Sequence, residues 1–161
     1  MADHKKLLAM IAACTELPKL RNWIANARRK GAKDVEDAAT ARLIEIKAQG
    51  DHDDCADPLV LDFWKSIIAL EFVLSEERGK TTRLARTRQK IGRVGVWQTL
   101  KDLAASPKPS DGYFLLRDRN MLEMSAEAVV LRHRAQFDDV IVRAAQTRIT
   151  GGKTSGGQTP D

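Results

Sequence analysis

Residues 59–74, LVLDFWKSIIALEFVL, decide the fold of this 161-residue chain. The stretch is apolar almost all round, so a helix formed by it should lie buried at the centre of a domain. Asp57 stands at the predicted N-cap and Pro58 at the first helical position, as is typical of helix starts. Two short strands are the alternative, because Phe, Ile and Val favour sheets. The Asp-Pro start, the length and the interspersed charges favour the helix.

The segment before this stretch predicts a helical hairpin. Apolar residues at Leu17, Leu20, Ile24 and Ala27 have helical spacing, and Gly31 follows three basic residues as a stop signal. A second helix follows, which Asp34 is predicted to cap and which should end at Gly50. Its predicted inward face consists of Val35, Ala39, Leu43 and Ile46. The short connection between the two helices is typical of a hairpin.

The segment after the central stretch predicts further helices and no strands. Their predicted ranges are 80–91, 96–105, 113–122, Ser125 to about 134, and Asp138 to 149, with a turn at Gly92 and a loop at 106–112. Residues 151–161 lack apolar side chains and are predicted to be disordered. The fold class is therefore all-α: one compact multi-helix bundle over residues 1–150, with a central buried helix and a helix-turn-helix-like unit.

Composition excludes several classes of protein. The chain has 10 Gly, 5 Pro and 2 Cys, which excludes collagen-like, mucin-like and disulfide-scaffold proteins. Cys14 and Cys55 fit a reducing compartment. No apolar run approaches the roughly 18 residues of a membrane span. We therefore predict a cytoplasmic protein with no membrane contact, and nothing in the sequence fixes its oligomeric state.

The net charge of +5 is concentrated in the middle of the chain. Residues 1–62 contain ten basic and eleven acidic residues, and residues 107–161 contain eight basic and seven acidic residues. Residues 63–106, by contrast, contain nine basic and only four acidic residues. No carboxylate occurs between Arg78 and Lys101. The cations that crowd into 16 residues of this central part are Arg78, Lys80, Arg83, Arg86, Arg88, Lys90 and Arg93.

Four of these cations share one face of the predicted helix. Arg83, Arg86, Lys90 and Arg93 fall within an arc of about 80° and span about 15 Å, enough to follow several phosphates. A solvated helix face usually mixes both signs of charge, so an unmixed stripe indicates an anionic partner. The alternative is that the cations cover apolar surface or pair with Glu76, Glu77 and the acidic residues 51–57.

The basic helix, the Gly92 turn and the next helix resemble a helix-turn-helix unit, whose second helix reads the major groove. On that helix, Gln98, Thr99 and Lys101 are candidate base or backbone contacts. Arg88 departs from the pattern, because it stands where such units have a small apolar residue. Gly92-Arg93-Val94-Gly95 also resembles the GXXG loop of KH domains, but those need a three-stranded sheet and no strand is predicted.

Catalytic and metal sites are not indicated. Residues 51–57, DHDDCAD, lack the second ligand pair of a zinc site and the Gly and Glu positions of an EF-hand, so we predict an acidic capping loop. No Ser-His-acid or Cys-His arrangement occurs. We therefore predict no enzyme activity and no cofactor. Trp23, Trp64 and Trp97 lie on apolar faces and are predicted to be core, which leaves no aromatic platform for single strands.

These observations predict a DNA-binding protein with a regulatory or accessory role. Duplex phosphates would be contacted chiefly by Arg83, Arg86, Lys90 and Arg93, with the other cations and Gln98, Thr99 and Lys101 around them. The alternative is a protein-interaction module, adaptor or antitoxin-like, whose basic stripe meets an acidic partner. A third hypothesis is an enzyme whose acidic loop binds a metal.

Overall fold

The computed structural model describes residues 4–50 and 57–154, and within these ranges it contains nine α-helices, two 3₁₀ turns and no strand. The all-α prediction is confirmed. The helices are α1 Lys5–Ala13, α2 Leu17–Lys30, α3 Lys33–Gly50, α4 Pro58–Arg78, α5 Ala85–Val94, α6 Val96–Ala105, α7 Asp111–Asp118, α8 Ala126–Arg132 and α9 Asp139–Thr154. The chain divides into two compact units, residues 1–53 and residues 54–161.

The first unit contains the predicted hairpin, in which α2 and α3 pack together. Gly31 ends α2 in the left-handed conformation, with φ +67°, as its position after the basic turn predicted. Two details of α3 differ from the sequence prediction. Asp34 lies inside the helix rather than at its cap and is hydrogen-bonded to the His4 ring at 2.9 Å. Ile44 is fully buried, whereas Ile46 is only half-buried.

In the second unit, α4 is the buried central helix that the opening stretch predicted. Asp57 caps it by accepting a hydrogen bond of 2.9 Å from the Leu59 amide, and Pro58 occupies the first turn. Phe63 and Val73 are 0% exposed, and α6, α7 and α8 all pack against this helix. The helix continues one turn past the predicted stretch and ends at Gly79, with φ +67°.

An ion-pair cluster fastens α8 to the start of α4. The Asp62 carboxylate accepts hydrogen bonds from Arg132 Nε at 2.8 Å and is bonded to His133 Nε2 at 2.9 Å. Burial alone would raise the pKa of the Asp62 carboxyl, but the bonds to Arg132 and His133 outweigh burial and hold the pKa below its ordinary value. His133, at the end of α8, thus helps to dock this helix.

A second, more deeply buried ion pair joins α8 to α9. Glu127 is 3% exposed and lies 3.3 Å from Arg148 Nη1, and Arg148 also donates to the carbonyls of Leu103 and Ser106. The Tyr113 hydroxyl donates in turn to the Arg148 carbonyl. This network joins four helices of the second unit, because its members lie in or next to α6, α7, α8 and α9.

The predicted caps of the last two helices are confirmed. Ser125 Oγ accepts from the Ala128 amide at the start of α8, and Asp138 accepts from the Ile141 amide at the start of α9. The last helix ends at Thr154 rather than at Ile149, and residues 155–161 lie outside the described residues.

The largest correction concerns the segment between α4 and α6. The predicted helix over 80–91 begins only at Ala85, because α4 holds the preceding residues in another conformation. Ser75 Oγ accepts from the Thr82 amide at 2.8 Å, and Glu71 Oε2 accepts from the Leu84 amide at 2.8 Å. In a helix over 80–91 the Leu84 amide would donate to the Lys80 carbonyl, and the bond to Glu71 takes this donor away.

The turn between α5 and α6 also differs from the prediction. Gly92 lies inside α5, and Gly95 alone separates the two helices. A helix-turn-helix unit has a turn of about three to four residues, so this connection does not confirm the predicted unit. Since Gly92 and the two residues after it are helical, they also do not form a KH-type loop.

Alanine substitutions at these two glycines should change stability in opposite directions. Gly95 has φ +89° and ψ 167°, a region that is essentially restricted to glycine, so Gly95→Ala should cost about 1–3 kcal/mol. Gly92 lies in a helix with nothing within 4 Å of an added Cβ, so Gly92→Ala should stabilise by about 0.5–1 kcal/mol. Urea denaturation measures both; a stabilising Gly95→Ala would contradict this turn geometry.

The predicted acidic capping loop spans residues 51–57, of which residues 51–56 lie outside the described residues. Its last residue, Asp57, caps α4. Across residues 4–50 and 57–154 no three His, Cys, Asp or Glu side chains come together as metal ligands would. In the same ranges no helix combines the length and apolar character needed to cross a membrane.

Candidate nucleic-acid interface

Helix α5, which carries most of the predicted cations, lies on the surface of the second unit. None of its residues is fully buried; Ile91 and the preceding cap residue, Leu84, are half-buried. A helix with so little buried apolar area needs another attachment. That attachment comes from Glu71 of α4.

Glu71 anchors both the start and the middle of α5. Its carboxylate accepts two hydrogen bonds of 2.7 Å from the Arg88 guanidinium and one of 2.8 Å from the Leu84 amide. The two-pronged arrangement is the strong geometry of an arginine–carboxylate pair. Arg88 also lies over the Trp64 ring, at 5.4 Å from its centre. Arg88, predicted as a nucleic-acid contact, is therefore an internal anchor.

The protonation behaviour of Glu71 agrees with this geometry. The carboxyl is only 8% exposed, and burial alone would raise its pKa. The Arg88 bonds, the Leu84 amide and the nearby charge of Arg83 outweigh burial, so the pKa of Glu71 lies below its ordinary value. The carboxylate is thus charged at neutral pH.

A second carboxylate neutralises another predicted contact. Asp102 of α6 lies 2.8 Å from Lys90 Nζ and also accepts a hydrogen bond of 2.8 Å from Gln98. The Lys90 bond, followed by the Gln98 bond, lowers the pKa of Asp102. Lys90 and Gln98 are therefore engaged within the protein: the Lys90 bond joins α5 to α6, whereas the Gln98 bond lies within α6.

Thr99 does not belong to an exposed site. It is 1% exposed, and its hydroxyl donates to the Gly95 carbonyl at 2.8 Å. The prediction of Thr99 as a base or backbone contact is therefore replaced by a structural role, in which it braces the α5–α6 turn.

The remaining cations of residues 78–93 are exposed. In the part of the chain that the structure describes, their side chains form no hydrogen bond or ion pair, although Arg83 is close enough to Glu71 to influence its pKa. We call them the five exposed cations: Arg78, Lys80, Arg83, Arg86 and Arg93. They follow one another from the last turn of α4 to the last turn of α5.

All the carboxylates of residues 63–106 are occupied by other cations. Glu71 binds Arg88 and Asp102 binds Lys90, whereas Glu76 and Glu77 both pair with Arg119, which follows α7. The alternative prediction paired the basic segment with Glu76, Glu77 and the acidic residues 51–57. The described ion pairs of Glu76 and Glu77 go to Arg119 instead, and residues 51–56 lie outside the described residues, so that part stays a prediction. None of the ion pairs of these four carboxylates involves one of the five exposed cations.

Trp97 is exposed, contrary to its predicted place in the core. It keeps 43% of its surface accessible, whereas Trp64 is buried and Trp23 is half-buried. The Phe137 ring stacks on the indole with centres 6.4 Å apart, and Lys101 Nζ lies 4.9 Å from the ring centre. Lys101 is thus held beside an accessible aromatic ring.

Sequence reasoning missed the roles of Glu71, Asp102 and Trp97. The signal for Glu71 was its position between apolar residues in the middle of a buried helix, where a carboxylate requires a charged partner. Asp102 was the first acid after a long basic run. No local signal indicated the exposure of Trp97, because it depends on how α6 packs.

Comparisons with protein-family models, with curated proteins and with solved structures found no match for this chain.

Proposed function

We propose that this protein binds duplex DNA through phosphate contacts from the five exposed cations, in a regulatory or accessory role in the cytoplasm. One observation carries the proposal. Five cations within residues 78–93 are exposed and form no ion pair with the residues that the structure describes, while every carboxylate of residues 63–106 is already paired. Because like charges in one region repel each other, such an arrangement is favourable chiefly when an anionic partner supplies the missing charge.

The geometry supports backbone contact rather than the reading of bases. Of the three residues predicted to reach base edges, Thr99 is buried, Gln98 is bonded to Asp102 and Lys101 lies on an aromatic ring. Arginine and lysine contacts to phosphates supply affinity and orientation but carry no sequence information directly. We therefore expect binding that depends weakly on DNA sequence.

A salt titration tests the proposal. Binding of the full chain to a labelled blunt duplex, followed by fluorescence anisotropy, should weaken linearly on a log–log plot as salt rises. With three to five phosphates neutralised, the slope should be about −3 to −4.5. Single-stranded DNA and RNA of equal length serve as comparison ligands, and poly-glutamate serves as a model acidic polypeptide. Binding to poly-glutamate with no micromolar binding to nucleic acid at low salt would overturn the proposal in favour of an acidic protein partner.

A further inference from the structure

Trp97 is an accessible ring held in a fixed orientation. Phe137 supports it by stacking, with 17° between the ring planes, and 43% of the residue still faces solvent. Val94, on the other side of the Gly95 turn, is 41% exposed. An aromatic ring of this kind can stack on a nucleobase, because every base presents a π face.

The ring lies next to the proposed phosphate-binding segment. In the sequence, Trp97 lies four residues after Arg93, one of the five exposed cations. The neighbouring α6 position, Gln98, shares Asp102 with Lys90 of α5. The α6 residue that bonds to α5 is Asp102, which directly follows Lys101 and lies about 100° further round the helix.

We propose that Trp97 stacks on an unpaired base beside the duplex, while Lys101 contacts the adjoining phosphate. This inference rests on the proposed function and specifies its ligand as duplex DNA with an overhang or an unpaired nucleotide. Lys101 has a flexible side chain, and exposed cation–π contacts are weak, so its ammonium can leave the ring for a phosphate. A single ring serves one base, which fits a junction better than a long single strand.

The test uses one duplex in three forms: blunt, with a deoxythymidine overhang, and with an abasic overhang of the same length. The last two have equal numbers of phosphates, so their difference measures the base alone. Wild-type protein should bind the deoxythymidine overhang about 5–100-fold more tightly than the abasic overhang. Trp97→Ala should remove the difference without changing the salt slope, since stacking releases no counterions. Trp97→Phe should retain part of it.

Phe114→Ala is the matched control. Phe114 is also an exposed aromatic residue, 38% accessible, with the Arg117 guanidinium 4.9 Å from its ring, but it lies on α7. The Phe114→Ala variant should therefore keep the wild-type preference for the deoxythymidine overhang over the abasic overhang.

The possible outcomes separate the two proposals. Equal binding of both overhangs by wild-type protein, or an equal loss in Phe114→Ala, would overturn the stacking inference while salt-dependent duplex binding survives. No binding to any of the three duplexes would instead overturn the proposed function itself. The comparison of overhangs needs no variant, so it stays decisive even where Trp97→Ala destabilises the fold.

Discussion

Replacing Arg86 and Arg93 by glutamate is expected to weaken binding to a blunt duplex by about 100-fold or more near 0.1 M salt. Each neutralised phosphate contributes a factor of about 8 under these conditions, and the new carboxylates add repulsion. Both arginines are exposed and form no ion pair with described residues, so the substitutions break no internal bond. The melting temperature should therefore stay close to that of the wild-type protein.

The matched control is Lys108→Glu with Arg143→Glu, which produces the same change in net charge. Lys108 lies in the loop before α7 and Arg143 in α9, and both are exposed. If DNA binding depended only on net charge, the two double variants would lose affinity equally. We expect the control to retain binding within a few-fold, and its salt slope should match that of the wild-type protein. Equal losses would contradict the placement of the site on the five exposed cations.

Glu71→Gln is expected to lower the free energy of unfolding of the second unit by about 3 kcal/mol. The substitution keeps the size of the side chain and an acceptor for the Leu84 amide, but it leaves the Arg88 guanidinium without its counter-charge. This loss is at the lower end of the range for breaking a buried ion pair, about 3–5 kcal/mol, because the Arg88 side chain is 20% exposed. The melting temperature should fall by about 10–20 °C.

The effect of Glu71→Gln should depend on pH in a defined direction. Because the pKa of Glu71 is lowered in the folded state, its carboxylate stabilises the fold above the unfolded-state pKa, near the ordinary value of 4.5. That stabilisation is lost as the pH falls through the lower, folded-state pKa. Denaturation curves should thus show the full difference between wild type and variant at pH 7 and a shrinking difference below about pH 4.

Glu77→Gln is the control for this prediction. It is the same substitution on the same helix, but the Glu77 side chain is 47% exposed, and its ion pair with Arg119 is long, at 3.8 Å. Exposed pairs contribute little, so its effect should stay within about 1 kcal/mol. Hydrogen exchange adds a second readout: Glu71→Gln should lose amide protection first in α5, which has no fully buried residue. Equal effects of the two variants would contradict the anchoring role of Glu71.

Local signals were sufficient for most helix boundaries. Asp57-Pro58 and Ser125 cap their helices where predicted, and Gly31 ends α2. Such signals act between residues a few positions apart, so they can be recognised in the sequence alone. The apolar stretch at 59–74 also identified the central helix, because a helix that is apolar almost all round has to be buried among other helices.

The sequence by itself determined an all-helical chain with a buried central helix and a basic segment at 78–93. Only the tertiary structure decided which of those cations are available. Arg88 meets Glu71 across 17 positions and Lys90 meets Asp102 across 12, while Trp97 is left in solvent by the packing of α6. The physical reason is one of range: capping and helical periodicity operate within a turn, whereas ion pairing and burial depend on which helices pack together.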